Sequence, residues 1–242
     1  MKKYELTSDT KVFDGVVLHR IKALISFGNI KIGALGGWIE SEKNLSQYGN
    51  AWVGENARVY DDAIVVGNAM VYEDAIVGGH ATVRENATVR GAAWVGGKAW
   101  VGGDAWVGEN AWVGENAIVG GKATVGGKAA VGGKARVGGD TIVGGNATAY
   151  GNAEFDGDAE VDGDADYIVF KNWWSSGRFF TWTRSNNKWK VGCFYGSGEE
   201  LIAKAYKDSE KSGREYERVV KYVNDILKEE DNDNGNRNKR EG

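Results

Sequence analysis

The chain has 242 residues, a formal net charge of −4, 37 glycines, no proline and a single cysteine. That balance excludes a surface built throughout to coat double-stranded nucleic acid, and one cysteine excludes an intramolecular disulfide and suits a reducing compartment. No apolar run follows Met1, and no stretch approaches the ~18 apolar residues of a membrane helix, so a cytoplasmic protein with no membrane partner is expected.

Residues 1–44 mix β-branched residues and glycines and read as short strands, with turns at Asp14-Gly15, Gly28-Asn29 and Gly36-Gly37. A solenoid exposes unpaired backbone and an open apolar end, so this segment is expected to cap the six-residue repeats that begin after it. His19 has no second His or Cys nearby and is read as structural.

Residues 45–167 carry a repeat of six. From Ala51 to Ala165 every sixth residue is alanine except Thr141, across 20 positions, and two residues further on Val53 to Val143 gives 16 successive valines. Ala and Val two apart point to the same side of an extended segment and form the core columns. The three residues after Val supply glycine and small polar residues for a corner. Three corners close a coil, residues 18 apart stack, and 20 hexads make roughly six to seven coils. The outward position between Ala and Val holds large apolar groups in half of the hexads. Trp94, Trp100, Trp106 and Trp112 follow one another on successive faces, and with Trp52 they are the candidate interface. Two readings stand side by side: each indole covers neighbouring bare glycines, or the belt is an association surface.

The order aliphatic, Gly, any, any, small, any, as in Val107-Gly108-Glu109-Asn110-Ala111-Trp112, resembles the hexapeptide repeat of left-handed parallel β-helices. The resemblance implies the handedness and, through what is common in that family, a homo-oligomer with a trimer favoured. It also raises acyl transfer, which in that family uses a His base and a loop extruded from a coil. His80 is the only histidine in the repeats, at a corner, and no insertion breaks the register, so no catalytic residue is assigned. The zinc site of a carbonic anhydrase of related fold needs three histidines, which the repeats lack. The acidic stretch Glu154–Asp166 keeps the hexad register without the offsets of a calcium loop. No metal and no cofactor is expected.

Residues 168–228 change character. Between Tyr167 and Gly198 there is no acid, while Lys171, Arg178, Arg184, Lys188 and Lys190 alternate with aromatics. Segments 178–184 and 188–194 read as a hairpin about Ser185-Asn186-Asn187, with Phe179, Thr181 and Thr183 on one face and Phe180, Trp182 and Arg184 on the other. Ser197 and Glu200 make a capping box for a helix to about Ser209. Gly213 is expected to break it, and a second helix from Arg214 to about Lys228 carries the apolar stripe Tyr216, Val219, Val220, Val223, Ile226 and Leu227. Cys193 is read as a buried core thiol, and residues 229–242 as a disordered tail. The stretches GCFYGSGEELIAKAY and REYERVVKYV resemble a small module that follows hexapeptide solenoids in phage and prophage proteins, which implies a viral or prophage origin and a bacterial host.

The expected fold is therefore mainly β: a triangular left-handed parallel β-helix with an N-terminal β cap and a small C-terminal α+β module. The expected function is a non-enzymatic oligomeric binder. Its aromatic and basic module would take an anionic nucleotide-like ligand or a host protein through Trp173, Trp174, Arg178, Trp182, Arg184, Lys188 and Trp189. Against this stands the need of so small a module for its own core. The alternatives are a virion-type structural protein joined through the tryptophan belt and a hexapeptide acyltransferase.

Overall fold

The structure, a computed structural model, describes residues 1–238, with side chains described to Glu230. It is a left-handed β-solenoid of about 7 turns with three parallel sheets, closed at the N-terminal end by an antiparallel cap and followed by a sheet with two helices. Strands β1 (Tyr4–Phe13), β2 (Val16–Ala23) and β3 (Leu35–Ile39) come first. Nineteen two-residue strands, β4 (Trp52–Val53) to β22 (Glu160–Val161), follow at one per hexad. Every third strand joins the same sheet, so partners are 18 residues apart, as Trp94 with Trp112 and Val95 with Val113.

The Ala and Val columns fill the bore. From Ala51 through Val161 these side chains are buried, and all but Ala159 and Thr141 form a single apolar cluster. One member breaks the pattern: Thr141 is fully buried, and its Oγ1 has no hydrogen-bond partner among the described residues.

Corners follow a rule that composition alone does not display. Most left-handed corner residues are glycine, but Glu55, Asp61, Glu73, Glu85, Glu109 and Glu115 also adopt φ of 53–60°. A side chain there costs on the order of 1–2 kcal/mol. The offset comes from the next coil. The carboxylates of Asp61, Glu73 and Glu109 accept the amides of Gly79, Gly91 and Gly127 at 3.0, 2.7 and 2.6 Å, and Glu85 accepts that of Gly103. The edge of Glu85 and Gly103 also carries a side-chain ladder, Asn50 to Asn68 to Asn86 to Asp104, with steps of 3.1, 3.0 and 2.8 Å. Beyond it on the same edge, Lys122 lies 3.9 Å from Asp140.

The N-terminal cap completes the first coil. β3 pairs antiparallel with β2 and parallel with the strand Arg58–Val59, so it belongs to both cap and solenoid. Asp14-Gly15 and Gly28 form turns with positive φ as expected. Gly36-Gly37 do not: they lie inside β3, where a Cβ at Gly36 would stand 2.5 Å from Ile21 and from Trp52. These glycines permit a close approach of strand to core. Lys3 is buried, its ammonium donating to the carbonyls of Ala51 at 2.8 Å and Gly49 at 3.4 Å, and burial pulls it down to about 8. The Tyr4 hydroxyl donates to Leu45 O at 2.7 Å, and the Asn44 amide to Asp61 O and Ala63 O at 2.9 Å each.

A buried hydroxyl without a partner costs about 1–3 kcal/mol. Thr141→Val keeps the shape and removes the hydroxyl, so it should raise the stability measured by urea unfolding by about 1 kcal/mol; an unchanged or lower midpoint would show that the hydroxyl is satisfied in solution.

Candidate binding site in the C-terminal module

Four antiparallel strands, β23 (Tyr167–Lys171), β24 (Phe179–Thr183), β25 (Lys188–Val191) and β26 (Phe194–Gly196), precede α1 (Gly198–Asp208) and α2 (Glu210–Asn238). The expected hairpin is the central pair. The capping box at Ser197 forms, with Glu200 N donating to Ser197 Oγ at 3.2 Å and Ser197 N to Glu200 Oε2 at 2.8 Å. The helix break, however, falls at Ser209 and not at Gly213. Ser209 is extended (φ −170°, ψ 153°), and its Oγ accepts from Ser212 N at 3.1 Å, the arrangement of an N-cap. Gly213 lies within α2, where a Cβ would collide with the Tyr206 ring, so close packing and not a turn calls for glycine. α2 also runs through Asn238, past the expected start of the tail; residues 239–242 lie outside the described residues.

Both faces of β24 are occupied. Phe180 and Trp182 pack with Trp189, Leu201, Tyr216, Val220 and Val223 in a second apolar core. The opposite face carries Thr181 and Thr183 and meets the end of the solenoid. Thr181 Oγ1 accepts Glu154 N at 2.9 Å, Ser185 Oγ accepts Glu160 N at 2.8 Å, and Asp164 Oδ1 accepts Thr148 N at 2.9 Å. The terminal strands of all three sheets thus find acceptors. Lys190 pairs with Asp156 at 2.5 Å, and Asn186 Nδ2 and the Tyr195 hydroxyl both donate to Asp158 at 3.0 Å. Burial, then the Asp158 hydrogen bond, pushes the Tyr195 phenol up to about 12.

This packing sorts the sequence-predicted residues. Trp182 and Trp189 are each 1% exposed and Trp174 8%, so they serve the core and offer no binding face. Arg184 is engaged: its guanidinium holds Glu230 at 2.6 Å and donates to Ala165 O at 3.2 Å. Lys188 is half-buried on β25. Trp173, 72% exposed, and Arg178 stay accessible, and both lie on the loop 172–178.

Asn172 builds that loop. It is buried, its N–H donates to Arg178 O and its carbonyl accepts from Gly177 N, each at 2.7 Å. Its side chain accepts Ser175 N at 2.9 Å and donates to the Tyr216 hydroxyl at 3.0 Å. Between this loop, the Val191–Phe194 turn and α1 lies a cavity of about 220 Å³. Its walls include Asn172, Ser175, Ser176, Arg178, Lys204, Asp208, Ser212 and Tyr216. Neither Arg178 nor Lys204 is in an ion pair among the described residues. Two cations, one carboxylate and the serine hydroxyls suit a small anionic group. Cys193, expected in the core, is exposed on the tight turn between β25 and β26, beside Gly192 at φ 57°.

On the solenoid, Trp52 is buried beneath the N-terminal cap against Tyr4 and Phe27, with ring centroids 6.4 and 5.5 Å away, so it is no part of an exposed interface. Trp94, Trp100, Trp106 and Trp112 are half-buried, and each lies over glycine. A Cβ at Gly102 would stand 2.7 Å from the Trp100 ring, and one at Gly120, a coil further, 3.3 Å from it. Arg84 and Arg90 lie over Trp100 and Trp106 at 4.7 and 4.9 Å, and Trp94 stacks on Trp112 at 5.6 Å. His80 Nδ1 is 3.3 Å from Asp62 Oδ2 on an exposed corner. His19 lies in β2 opposite Ile39.

Docking of the module carries a pH signature. Burial works to raise the Asp156 carboxyl, but the Lys190 hydrogen bond, the Gly157 amide and the Lys190 charge outweigh it, and the group sits below its ordinary 3.8. A carboxyl depressed in the folded state contributes stability above its ordinary value and loses it as the pH falls through the lower one. Asp156→Asn should therefore lower stability at neutral pH and flatten its acid dependence below about pH 4, read from urea midpoints over the acid range. Parallel curves for variant and parent would show that the pair does not secure the cap.

No protein-family model matches the chain. A stretch of 61 residues is 38% identical to part of the "Uncharacterized acetyltransferase YdcK" of Escherichia coli (strain K12), covering 22% of this chain and 19% of that protein. The match spans about a fifth of the relative, and it is consistent with the hexapeptide-repeat superfamily. No helix among the described residues is long and apolar enough to cross a membrane.

Proposed function

We propose that the protein is a non-catalytic binding protein in which the solenoid is a rigid scaffold and the C-terminal module takes a small anionic, nucleotide-like ligand. The observation that carries this reading is the cavity whose walls include Arg178, Lys204, Ser175, Ser176 and Ser212. At about 220 Å³ it is below the ~300 Å³ usual for a whole drug-sized ligand, which fits a phosphoryl or sugar-phosphate part. The exposed Trp173 on the same loop supplies a π surface for a base outside it. The scaffold is proposed to be a trimer, with the half-buried tryptophan belt as part of its contact.

Native mass spectrometry of the intact protein with a panel of nucleoside mono- and diphosphates tests both parts. The expected result is a trimer carrying ligand, with affinity lowered at least about tenfold in Arg178→Gln/Lys204→Gln, since a hydrogen bond to a charged group contributes about 1.5–3 kcal/mol. No adduct with any member, or equal binding by the variant, would overturn the reading.

A second reading is acyl transfer, favoured by the His80–Asp62 contact of 3.3 Å and by the name of the partial relative. A carboxylate on Nδ1 would orient the ring and leave Nε2 free as a general base. If this holds, the protein consumes acetyl-coenzyme A in the presence of amine or hydroxyl acceptors, and His80→Ala loses at least about a hundredfold in rate, the ordinary scale of general-base catalysis. Turnover unaffected by His80→Ala would end it.

A further inference from the structure

Where the N-terminal hairpin lies against the first coils, three cations meet around two aromatic rings. Arg20 on β2 is opposite Trp38 on β3, and Trp38 is opposite Arg58 of the first coil, so the three form one row across neighbouring strands. Lys11 reaches over the row from β1. Its Nζ lies 4.3 Å from the Trp38 ring centroid, and Arg20 Cζ lies 5.4 Å from the same ring. Arg58 Cζ lies 4.8 Å from the Phe13 ring. Arg20 Nε donates to Gly36 O at 3.2 Å. No carboxylate among the described residues comes within ion-pairing distance of any of the three cations.

Two donors in this cluster are stranded. Arg58 Nε and Trp38 Nε1 are buried and have no hydrogen-bond partner among the described residues. The rings attract the cations, but they bring no negative charge to offset the repulsion among three positive charges. That repulsion registers on Lys11. Burial first, then the charges of Arg58 and Arg20, pull its ammonium down to about 8 against the opposing Asp74. One chemical class answers the uncompensated charge. A group with two negative charges and several acceptor oxygens balances the cations and can accept from more than one of them, whereas a monocarboxylate brings one charge and two oxygens.

We propose that Lys11, Arg20, Trp38 and Arg58 form a binding site for a phosphoryl oxyanion, separate from the cavity of the C-terminal module. The flanking ring of Phe13 gives an attached organic group an apolar neighbour, so the phosphoryl can belong to a free ion or to a phosphate ester.

The test uses the intact protein, with inorganic phosphate and phenyl phosphate as probes. Binding is read by calorimetry and by the nitrogen-15 shift of the Trp38 indole, assigned by its loss in Trp38→Phe. Saturable binding that moves the Trp38 indole is expected, and it persists in Arg178→Gln/Lys204→Gln, which separates this site from the module's cavity. Lys11→Gln and Arg58→Gln should each weaken it about tenfold, and Lys11→Arg should retain it. Lys11 sits on an outer strand, so Lys11→Gln is expected to melt with the parent; this keeps the comparison valid if Arg58→Gln folds poorly. Tighter binding of phenyl phosphate identifies an ester as the ligand, and equal binding the free ion. An indole unmoved at millimolar probe, or parental affinity in Lys11→Gln, overturns the proposal.

Discussion

The structure depends on a ladder whose amides point mainly in one direction. In the solenoid the N–H of each outward-facing residue bonds a carbonyl 17 residues further on, as Trp94 to Ala111 and Trp100 to Ala117 at 2.9 Å. Most amides of a coil therefore face the C-terminal end and most carbonyls the N-terminal end; the outward residue's own carbonyl faces the C-terminal end, where the Tyr167 hydroxyl donates to Thr148 O at 2.6 Å. The two ends need largely opposite chemistry, since an unpaired backbone group removed from water is costly. At the N-terminal end donors close the row: the Lys3 ammonium, the Tyr4 hydroxyl and the Asn44 amide. At the other end acceptors close it, one for each sheet, from Asp164, Thr181 and Ser185. A buried lysine is a costly way to satisfy carbonyls, and its depressed ammonium reflects that cost. It is tolerated because one ammonium offers three donors to carbonyls that converge at the bore.

Capping decides what is left for binding. A four-stranded sheet has two faces, and this module commits one to the helices and the other to the solenoid. The aromatic residues of β24 and β25 are consumed as core, and Lys190, Asn186 and Tyr195 are consumed by Asp156 and Asp158. What remains free is the part of the Asn172 loop that the core does not claim, Trp173 and Ser175 to Arg178. Its order comes from four hydrogen bonds to one buried side chain and its own backbone, which makes it a preformed wall and not a floppy appendage.

The solenoid is legible in the sequence because its period is a direct image of its geometry: one residue in six cannot be larger than alanine, and one must allow a corner. Thr141 stands out as the exception, but the stranding of its hydroxyl does not. The acidic corners are opaque for a related reason. Glu73 and Glu109 look like solvated surface until a glycine amide one coil away is seen to complete them. Gly36 and Gly213 read as turn and break, and neither is, because glycine marks a tight approach as readily as a positive φ, and only the packed neighbour distinguishes the two. Within the site, Arg178 and Trp173 follow from composition and Ser175 and Ser176 share their loop, while Lys204 joins them only through the docking of α1. Alternation along β24 correctly separates its two faces, yet gives no hint that the threonine face meets the solenoid.

The tryptophan belt and the cationic clusters follow from a tension between repetition and specificity. A repeat that stacks on itself must present nearly the same surface at each coil, so its middle favours generic solutions such as an indole laid over glycine. Distinct surfaces arise where the register fails. Lys11 and Arg20 come from the cap, and Arg178 and Lys204 from the module; only Arg58 belongs to a hexad, and it is placed where the cap crosses it. The about 7 turns between them, at ~4.8 Å per coil, hold the two ends roughly 30 Å apart. Each coil bonds the next through backbone on all three faces, so that separation cannot close by bending at a hinge. Two anionic groups could then be engaged together only if they were carried by one extended partner or by two independent ligands, and the rod itself would measure the difference.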